Sequence, residues 1–367
     1  MIDVAIIGAG PAGAALAGLL APRWRVTLVD ARKDPAPRIG ESLIPAARRL
    51  LRDMGLLRAV AARGYLAYRG NRSAWGGPAF AFTDFLRDPD GPGWHIDRVD
   101  FERMLRQTAV SRGATACFGP TLRALHRRGG QWAITLDSGE ELTARIVVDA
   151  TGRKAAVARQ LGLVPERQGR IVALWLRGAD ASPRDAGLST VAAVESGWLY
   201  TAVVLGGRVL ALHTDADLVT PDLRARGGVE RMARAHPAFG DSLRTADFQD
   251  APEIVPAHGA ILPQVAGDGW LAVGDAAMAL DPLSSRGLFN ALYSALAAAT
   301  EVDARLTGAI GSFSDYHDHM QGIAAKYEQD ALRMYRAETR WPDAPFWQRR
   351  HAGQERQAPV AANSDLA

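Results

Sequence analysis

A glycine-rich turn close to the start of the chain has the residue types and spacing of a dinucleotide phosphate site. An apolar run over residues 2–7 leads into Gly-x-Gly-x-x-Gly at Gly8, Gly10 and Gly13, and an apolar helical pattern follows. Such glycines permit a tight turn, close approach of the backbone to a pyrophosphate and close helix–strand packing. A second apolar run ends at Asp30, whose carboxylate can accept a hydrogen bond from a ribose hydroxyl. The pattern predicts a strand–turn–helix unit that binds a dinucleotide at a helix N-terminus.

Three further motifs follow in order along the chain. His95–Leu105 contains Arg98 at its start, and Asp149-Ala150-Thr151-Gly152 closes an apolar strand pattern. Gly274-Asp275 ends another strand pattern, and a loop from Asp281 to Gly287 then opens an apolar helix. Together with the glycine turn, these motifs resemble the superfamily of FAD-dependent monooxygenases built like p-hydroxybenzoate hydroxylase.

The resemblance implies FAD as the cofactor and assigns roles to individual residues. Asp275 would hold the ribityl chain, and Arg98 would reach the FAD. The N–H groups of Gly287 and Leu288, at a helix start, would stabilise negative charge on the reduced flavin. The full predicted FAD-binding set is Gly8, Gly10, Ala12, Gly13, Asp30, Arg38, Ser42, Arg98, Gly274, Asp275, Pro282, Gly287 and Leu288.

The expected fold class is α/β, with a Rossmann-type FAD-binding domain interleaved with a smaller β-sheet substrate domain, followed by C-terminal helices. Local patterns predict helices over 42–54 and 97–113 and a strand meander over 122–149. The predicted segments are the FAD-binding domain in 1–64, 95–160 and 266–306, the substrate domain in 65–94 and 161–265, a C-terminal helical segment in 307–350, and a disordered tail in 351–367.

Composition argues against several other classes of protein. The formal net charge is only +3, and no basic stripe interleaved with aromatic residues indicates nucleic-acid binding. The single cysteine, Cys117, excludes an internal disulfide. His317 and His319 lack the spacing and the third ligand of a metal site. No apolar run reaches the length of a membrane span, so we expect a cytoplasmic enzyme without a metal.

Two branches of the superfamily are similar to this chain. The stretch Arg38–Pro45 resembles the Gly-Glu-Ser/Thr-x-x-Pro element of flavin-dependent halogenases. That family has a lysine beside the substrate, yet window 65–95 contains none and the whole chain has three. Tyr200 also replaces the second tryptophan of the halogenase Trp-x-Trp-x-x-Pro motif, and Ser285-Arg286-Gly287 replaces Ser-Thr-Gly. The 272–285 stretch and the terminal 338–347 segment more closely resemble maturases that oxidise tryptophan in a quinoprotein partner.

The resemblance implies hydroxylation of an electron-rich aromatic ring through a flavin C4a-hydroperoxide. The ring would be a tryptophan side chain in a polypeptide partner or a small aromatic in natural-product biosynthesis. O2 is the expected co-substrate, and either NAD(P)H or a separate flavin reductase the electron source. His258 and Arg286 are the candidate catalytic residues. A histidine can accept the ring proton, and a cation beside the flavin can either stabilise the reduced flavin or bind a carboxylate of the substrate. Trp198, Tyr200 and His213 are candidate substrate-pocket residues.

Three alternatives stay open at this point: a flavin-dependent halogenase, a flavin-dependent reductase of the geranylgeranyl reductase type, and a non-catalytic flavin-binding partner protein. The aromatic segment Trp341–Trp347 is either a contact surface for a polypeptide client or a clamp onto the FAD domain.

Overall fold

The computed structural model describes residues 2–183, 185–353 and 356–357. Within these ranges the helices are α1 (Pro11–Leu20), α2 (Ala47–Asp53), α3 (Leu57–Ala61), α4 (Arg98–Ser111), α5 (Ala156–Gln160), α6 (Pro221–Arg224), α7 (Gly228–Ala235), α8 (Gly287–Thr307), α9 (Ser314–Arg336) and α10 (Pro345–His351). The strands are β1 (Ile2–Ile7), β2 (Val26–Asp30), β3 (Ser42–Leu43), β4 (Leu66–Tyr68), β5 (Gly70–Ala74), β6 (Ala81–Asp84), β7 (Gly93–His95), β8 (Thr115–Phe118), β9 (Leu122–Arg128), β10 (Gln131–Leu136), β11 (Glu141–Asp149), β12 (Glu166–Gln168), β13 (Ile171–Asp180), β14 (Leu188–Val194), β15 (Gly197–Val204), β16 (Gly207–Asp215), β17 (Ala246–Asp247), β18 (Glu253–Pro256), β19 (Gly259–Ile261), β20 (Ala266–Gly267), β21 (Trp270–Ala272), β22 (Met278–Ala279) and β23 (Arg356–Gln357).

The first sheet is built around β1, which lies between β11 and β2 and is parallel to both. Strand order reverses at β1, since β2 and β8 extend the sheet on one side and β11 and β21 on the other. Both faces are covered, so these strands are apolar runs without alternation. Helix α1 packs between α4 and α8, and all of its ten residues except Leu19 are buried. The sheet thus places the α1 N-terminus at a topological switch point, where doubly wound folds bind ligands.

The second sheet is mainly antiparallel, in the order β17-β13-β16-β15-β14-β5-β6, with β18 on β13. Its two faces separate two clusters of side chains. One face carries a leucine-rich cluster that packs against α7. The other face carries Trp198, Tyr200 and His213, on the central strands β15 and β16, in which every residue is buried.

The C-terminal segment covers part of this second face. Phe346 and Trp347 of α10 and Tyr335 of α9 are buried against the sheet, with each side chain at most 1% exposed. The aromatic segment is therefore a clamp, but it packs on the second sheet, whereas the sequence predicted a clamp onto the FAD domain. Phe346 and Trp347 are not available as a client contact surface.

Two predicted boundaries differ from the structure, and one predicted helix is confirmed. The helix predicted over 42–54 begins at Ala47, because Ser42 and Leu43 pair with β7 and Pro45 follows two residues after Leu43. The helix predicted over 97–113 is α4, with Asp97 as its N-cap: the Asp97 side chain accepts from the Asp100 N–H. The predicted tail begins too early, because His351 still belongs to α10. Strand β23 pairs with β12, and the other tail residues beyond 353 lie outside the described residues.

Within the described ranges, no helix is both long and apolar enough to cross a membrane.

Candidate functional site

A cavity of about 520 Å³ extends from the glycine turn of the first sheet to the face of the second sheet. Twelve residues of the predicted FAD-binding set line it: Gly8, Gly10, Ala12, Asp30, Arg38, Ser42, Arg98, Gly274, Asp275, Pro282, Gly287 and Leu288. The pocket candidates Trp198, Tyr200 and His213 line its far wall. Elements far apart in sequence therefore converge on one elongated space.

The glycine turn leaves room for a ligand at one glycine and packs tightly at two. A Cβ on Gly8 would lie 2.2 Å from the Ala150 carbonyl oxygen, and one on Gly13 would lie 1.9 Å from the Gly8 oxygen. A Cβ on Gly10 would meet nothing within 4 Å. Gly10 also precedes α1, whose N-terminus has no side-chain cap. Open N–H groups at this point suit an anionic phosphate.

Asp30 ends β2 beside this turn and is held by the backbone. Its Oδ2 accepts from the Ala9 N–H at 2.7 Å, and its Oδ1 from the Arg32 N–H at 2.8 Å. Arg106, which the sequence reasoning missed, lies 3.3 Å from the same carboxylate and also donates to the Ala9 oxygen at 2.9 Å. Because an ionised carboxylate has about four acceptor sites, Asp30 retains capacity for a ribose hydroxyl.

A buried ionic cluster supports the next part of the cavity. Glu102 of α4 is fully buried and lies 2.7 Å from Arg98 and 3.6 Å from Arg38. The Arg98 guanidinium also donates to the carbonyl oxygens of Ile39 and Gly40, at 3.1 and 3.0 Å. Arg38 Nη2 and Arg98 Nε are enclosed without a partner among the described residues. Burial lowers the pKa of Arg38, so a nearby anion would stabilise its charge.

The loop before α8 closes the opposite side of the cavity. Asp275 lies 3.8 Å from Arg153, and both residues line the space. The N-terminus of α8 has no side-chain cap, and a Cβ on Gly287 would meet nothing within 4 Å. Arg286 is exposed and does not line the cavity, although it directly precedes this helix.

Asp281 fixes that loop through contacts that the sequence did not reveal. Its Oδ1 accepts from the Leu283 N–H at 2.9 Å, and its Oδ2 accepts from the Tyr335 hydroxyl at 2.8 Å. Tyr327 donates to the Asp281 backbone oxygen at 2.7 Å, and burial raises the pKa of the Asp281 carboxyl. Tyr335 in turn accepts from Trp198 Nε1 at 3.3 Å. Helix α9 therefore connects the loop to the far cavity wall.

The far wall is formed by the second sheet. The rings of Trp198 and His213 stack in parallel, with centroids 3.6 Å apart, and burial lowers the pKa of His213 to about 3. The Tyr200 hydroxyl lies 3.0 Å from Ser42 Oγ, and burial raises the pKa of this phenol. His258 does not line the cavity. Its Nδ1 lies 2.9 Å from the Gly259 oxygen, and its own backbone oxygen accepts from Arg153.

A family model described as "FAD binding domain" matches residues 1–331. The chain belongs to this FAD-binding family. LodB of Marinomonas mediterranea, named as an FAD-dependent oxidoreductase, is 27% identical over 95% of this chain and 97% of its own length. The tryptophan 2-halogenase of Chondromyces crocatus is 27% identical over 94% of this chain and 69% of its own. The solved structure of the peptidyl tryptophan dihydroxylase QhpG is 27% identical, with a TM-score of 0.72 over 99% of this chain and 81% of that one.

These similarities confirm the predicted α/β fold, the predicted superfamily and the FAD cofactor. The chain is an FAD-dependent oxidoreductase. The residues present fit the cofactor: two uncapped helix N-termini and the unpartnered guanidinium nitrogens provide donors for anionic groups. In this FAD-binding family member, α1 and Arg38 would hold the pyrophosphate, Asp30 the adenosine ribose, Asp275 the ribityl chain and the α8 N-terminus the flavin edge.

Replacing Tyr335 with phenylalanine is expected to lower the stability of the protein and to change the visible spectrum of bound FAD. The change removes the donor to buried Asp281, and an unpaired buried acceptor costs about 1–3 kcal/mol. Since Asp281 fixes the loop next to α8, the visible spectrum of bound FAD and the affinity for substrate should also change. Tyr316→Phe is the matched control, because buried Tyr316 on the same helix donates to the Ala272 oxygen at 2.8 Å. Equal spectral changes in both variants would contradict the role of Tyr335.

His95 predicts a pH dependence of stability. It is fully buried beside Ser189 Oγ at 3.1 Å, and burial lowers its pKa to about 4. Below about pH 6.5 this histidine binds a proton in the unfolded chain but stays neutral in the folded protein. The free energy of unfolding therefore falls as the pH drops toward 4. At pH 5 the loss from this histidine is about 2 kcal/mol. Denaturant unfolding at pH 7 and pH 5 should show a smaller loss in His95→Gln, and equal losses would refute the assignment.

Proposed function

We propose that the chain is an FAD-dependent monooxygenase that hydroxylates an electron-rich aromatic ring. The ring is a tryptophan side chain of a polypeptide or a small aromatic compound. Similarity over 99% of the chain to a peptidyl tryptophan dihydroxylase supports the hydroxylation chemistry. The proposed reaction consumes one O2, two electrons and two protons: one oxygen atom enters a ring C–H bond, and the other leaves as water.

The position of the lysines is the observation that carries this choice over halogenation. The halogenase alternative requires a lysine beside the substrate. The chain has only Lys33, Lys154 and Lys326. All three are exposed, and none lines the cavity. No lysine is therefore in place to transfer or direct an oxidised halide.

Bound FAD would supply oxygen activation once reduced, and the protein's own residues would position the ring. The wall formed by Trp198, Tyr200 and His213 is buried, with none of the three more than 8% exposed. Such a wall excludes water from the ring and orients it. The α8 N-terminus stabilises negative charge at the opposite side of the same cavity.

The electron source and Arg286 belong to this proposal as well, whereas His258 is given no catalytic role in it. We propose NAD(P)H or a separate flavin reductase as the donor of the two electrons. Arg286 precedes the α8 N-terminus from an exposed position, where its charge adds to the helix dipole. We propose no proton transfer by His258, because its ring is engaged away from the cavity.

A labelled-oxygen experiment tests the proposal. FAD-loaded enzyme is photoreduced, mixed with isotopically labelled O2 in buffer containing chloride and bromide, and supplied with a tryptophan-containing peptide or with indole. We expect a product that has gained one labelled oxygen atom per turnover. Free reduced FAD without enzyme is the control. A halogenated product would overturn the proposal in favour of the halogenase, and hydrogenation of an added alkene would favour the reductase.

A further inference from the structure

His213 has a polar edge that the protein does not use. On β16 it lies opposite Trp198 of β15 and Ala173 of β13, and the stacked indole covers one face of its ring. Within the described part of the chain, no group bonds to either ring nitrogen. Nδ1 is buried without a hydrogen-bond partner, whereas Nε2 does not belong to the buried atoms that lack a partner. His213 is only 3% exposed and contributes to the cavity wall, so Nε2 is the nitrogen that a ligand in the cavity can reach.

The protonation state of the His213 imidazole follows from the residues around it. The neighbouring wall residues Ala173, Val191, Val255 and Ala257 are apolar, and burial keeps the pKa of His213 near 3. The imidazole is therefore neutral at physiological pH, with one N–H and one bare nitrogen. Because the protein engages neither nitrogen, a ligand decides which of them carries the proton. A ligand that covers Nε2 without pairing with it would leave a buried polar group unsatisfied, which is costly. A ligand that completes this hydrogen bond therefore binds more tightly than one that cannot.

Charge on the cavity walls restricts the ligand further. The described arginines that line the cavity all lie on the dinucleotide side. There Arg32 pairs with Asp30, Arg38 and Arg98 pair with Glu102, and Arg153 pairs with Asp275. Among the described residues, the sheet wall contributes one charged side chain, the exposed Glu253, and Glu253 has no ion pair with any of them. An anionic ligand at this wall would lose hydration without gaining a counter-charge.

We propose that His213 Nε2 is the polar anchor of the substrate, and that the substrate is an uncharged aromatic with a ring N–H or O–H, such as an indole or a phenol, rather than an aromatic carboxylate. The inference rests on the proposed function in one respect, that this end of the cavity holds the ring. In this arrangement the ring donates to Nε2, with the proton of the imidazole on Nδ1.

Calorimetric titration of the oxidised, FAD-loaded enzyme tests the anchor without any turnover. The ligands are indole, 1-methylindole, which lacks the N–H, and indole-3-carboxylate, which adds a charge. We expect indole to bind at least tenfold more tightly than either of the others. In His213→Phe, which keeps a flat ring against Trp198, indole and 1-methylindole should bind equally. In His213→Asn, which keeps a hydrogen-bonding group, part of the preference for indole should return.

Each other outcome overturns the anchor. These outcomes are tighter binding of the carboxylate, discrimination against 1-methylindole that persists in His213→Phe, or no binding of indole at all. If His213→Phe does not retain FAD, His213→Leu takes its place in the same comparison. Failure of oxygen transfer in the labelled-oxygen experiment, together with the expected binding pattern, would refute the proposed reaction and leave the anchor standing.

Discussion

Replacing Gly13 with alanine is expected to abolish FAD binding. The new Cβ would lie 1.9 Å from the Gly8 carbonyl oxygen and 2.9 Å from the Ala150 Cβ. Neither neighbour is the free end of a flexible side chain, so α1 must move away from the turn between β1 and the helix. That movement displaces the N–H groups that face the pyrophosphate. We expect a destabilisation above about 3 kcal/mol, beyond the usual range for overpacking, and purified protein without flavin absorbance.

Gly18→Ala provides the matched control, because Gly18 lies in the same helix and is also buried. Its new Cβ would lie 3.6 Å from the Ala109 Cα, an ordinary contact distance. Alanine in a helix interior is about 1 kcal/mol more favourable than glycine. This variant should therefore retain full FAD content and melt at the same or a higher temperature. Retention of FAD by Gly13→Ala, or equal loss in both variants, would contradict the packing argument.

The dinucleotide end of the site was predictable because its information is local. Gly8, Gly10 and Gly13 are separated by a few residues, and their roles follow from one turn between one strand and one helix. The residues that hold Asp30 and Arg98 in place, Arg106 and Glu102, come from α4. Nothing in the spacing of α4 distinguishes these two buried charges from solvent-facing ones, since both occur within an otherwise ordinary amphipathic pattern.

The far wall was predictable only in part. Alternation along β15 placed Trp198 and Tyr200 on one face. The stack of His213 on Trp198 depends on the register between β15 and β16, and the Tyr335–Asp281 hydrogen bond joins residues 54 positions apart. Such contacts are fixed by tertiary packing. For the same reason the helix predicted from Ser42 failed: pairing with β7 decided the conformation of that residue, and helix propensity did not.

Removal of the Asp215 carboxylate is expected to detach the C-terminal clamp from the second sheet. Asp215, at the end of β16, lies 2.7 Å from both Arg349 and Arg350 of α10. Its side chain is 1% exposed, and that of Arg350 is 3% exposed. Breaking a buried ion pair from one side costs about 3–5 kcal/mol, because the remaining charge has no counter-charge. Thermal and denaturant unfolding of Asp215→Ala should show a loss of this size.

The neighbouring Asp217 separates the effect of burial from the effect of charge. It also lies 2.7 Å from Arg349, but its side chain is 42% exposed, so Asp217→Ala should cost at most about 1 kcal/mol. Adding Arg350→Met to Asp215→Ala removes the uncompensated charge and should recover part of the lost stability. Equal losses in the two aspartate variants would show that burial of the pair is not what holds α10. Because α10 packs against Tyr335, which contacts both Trp198 and Asp281, Asp215→Ala should also weaken indole binding, whereas Asp217→Ala should not.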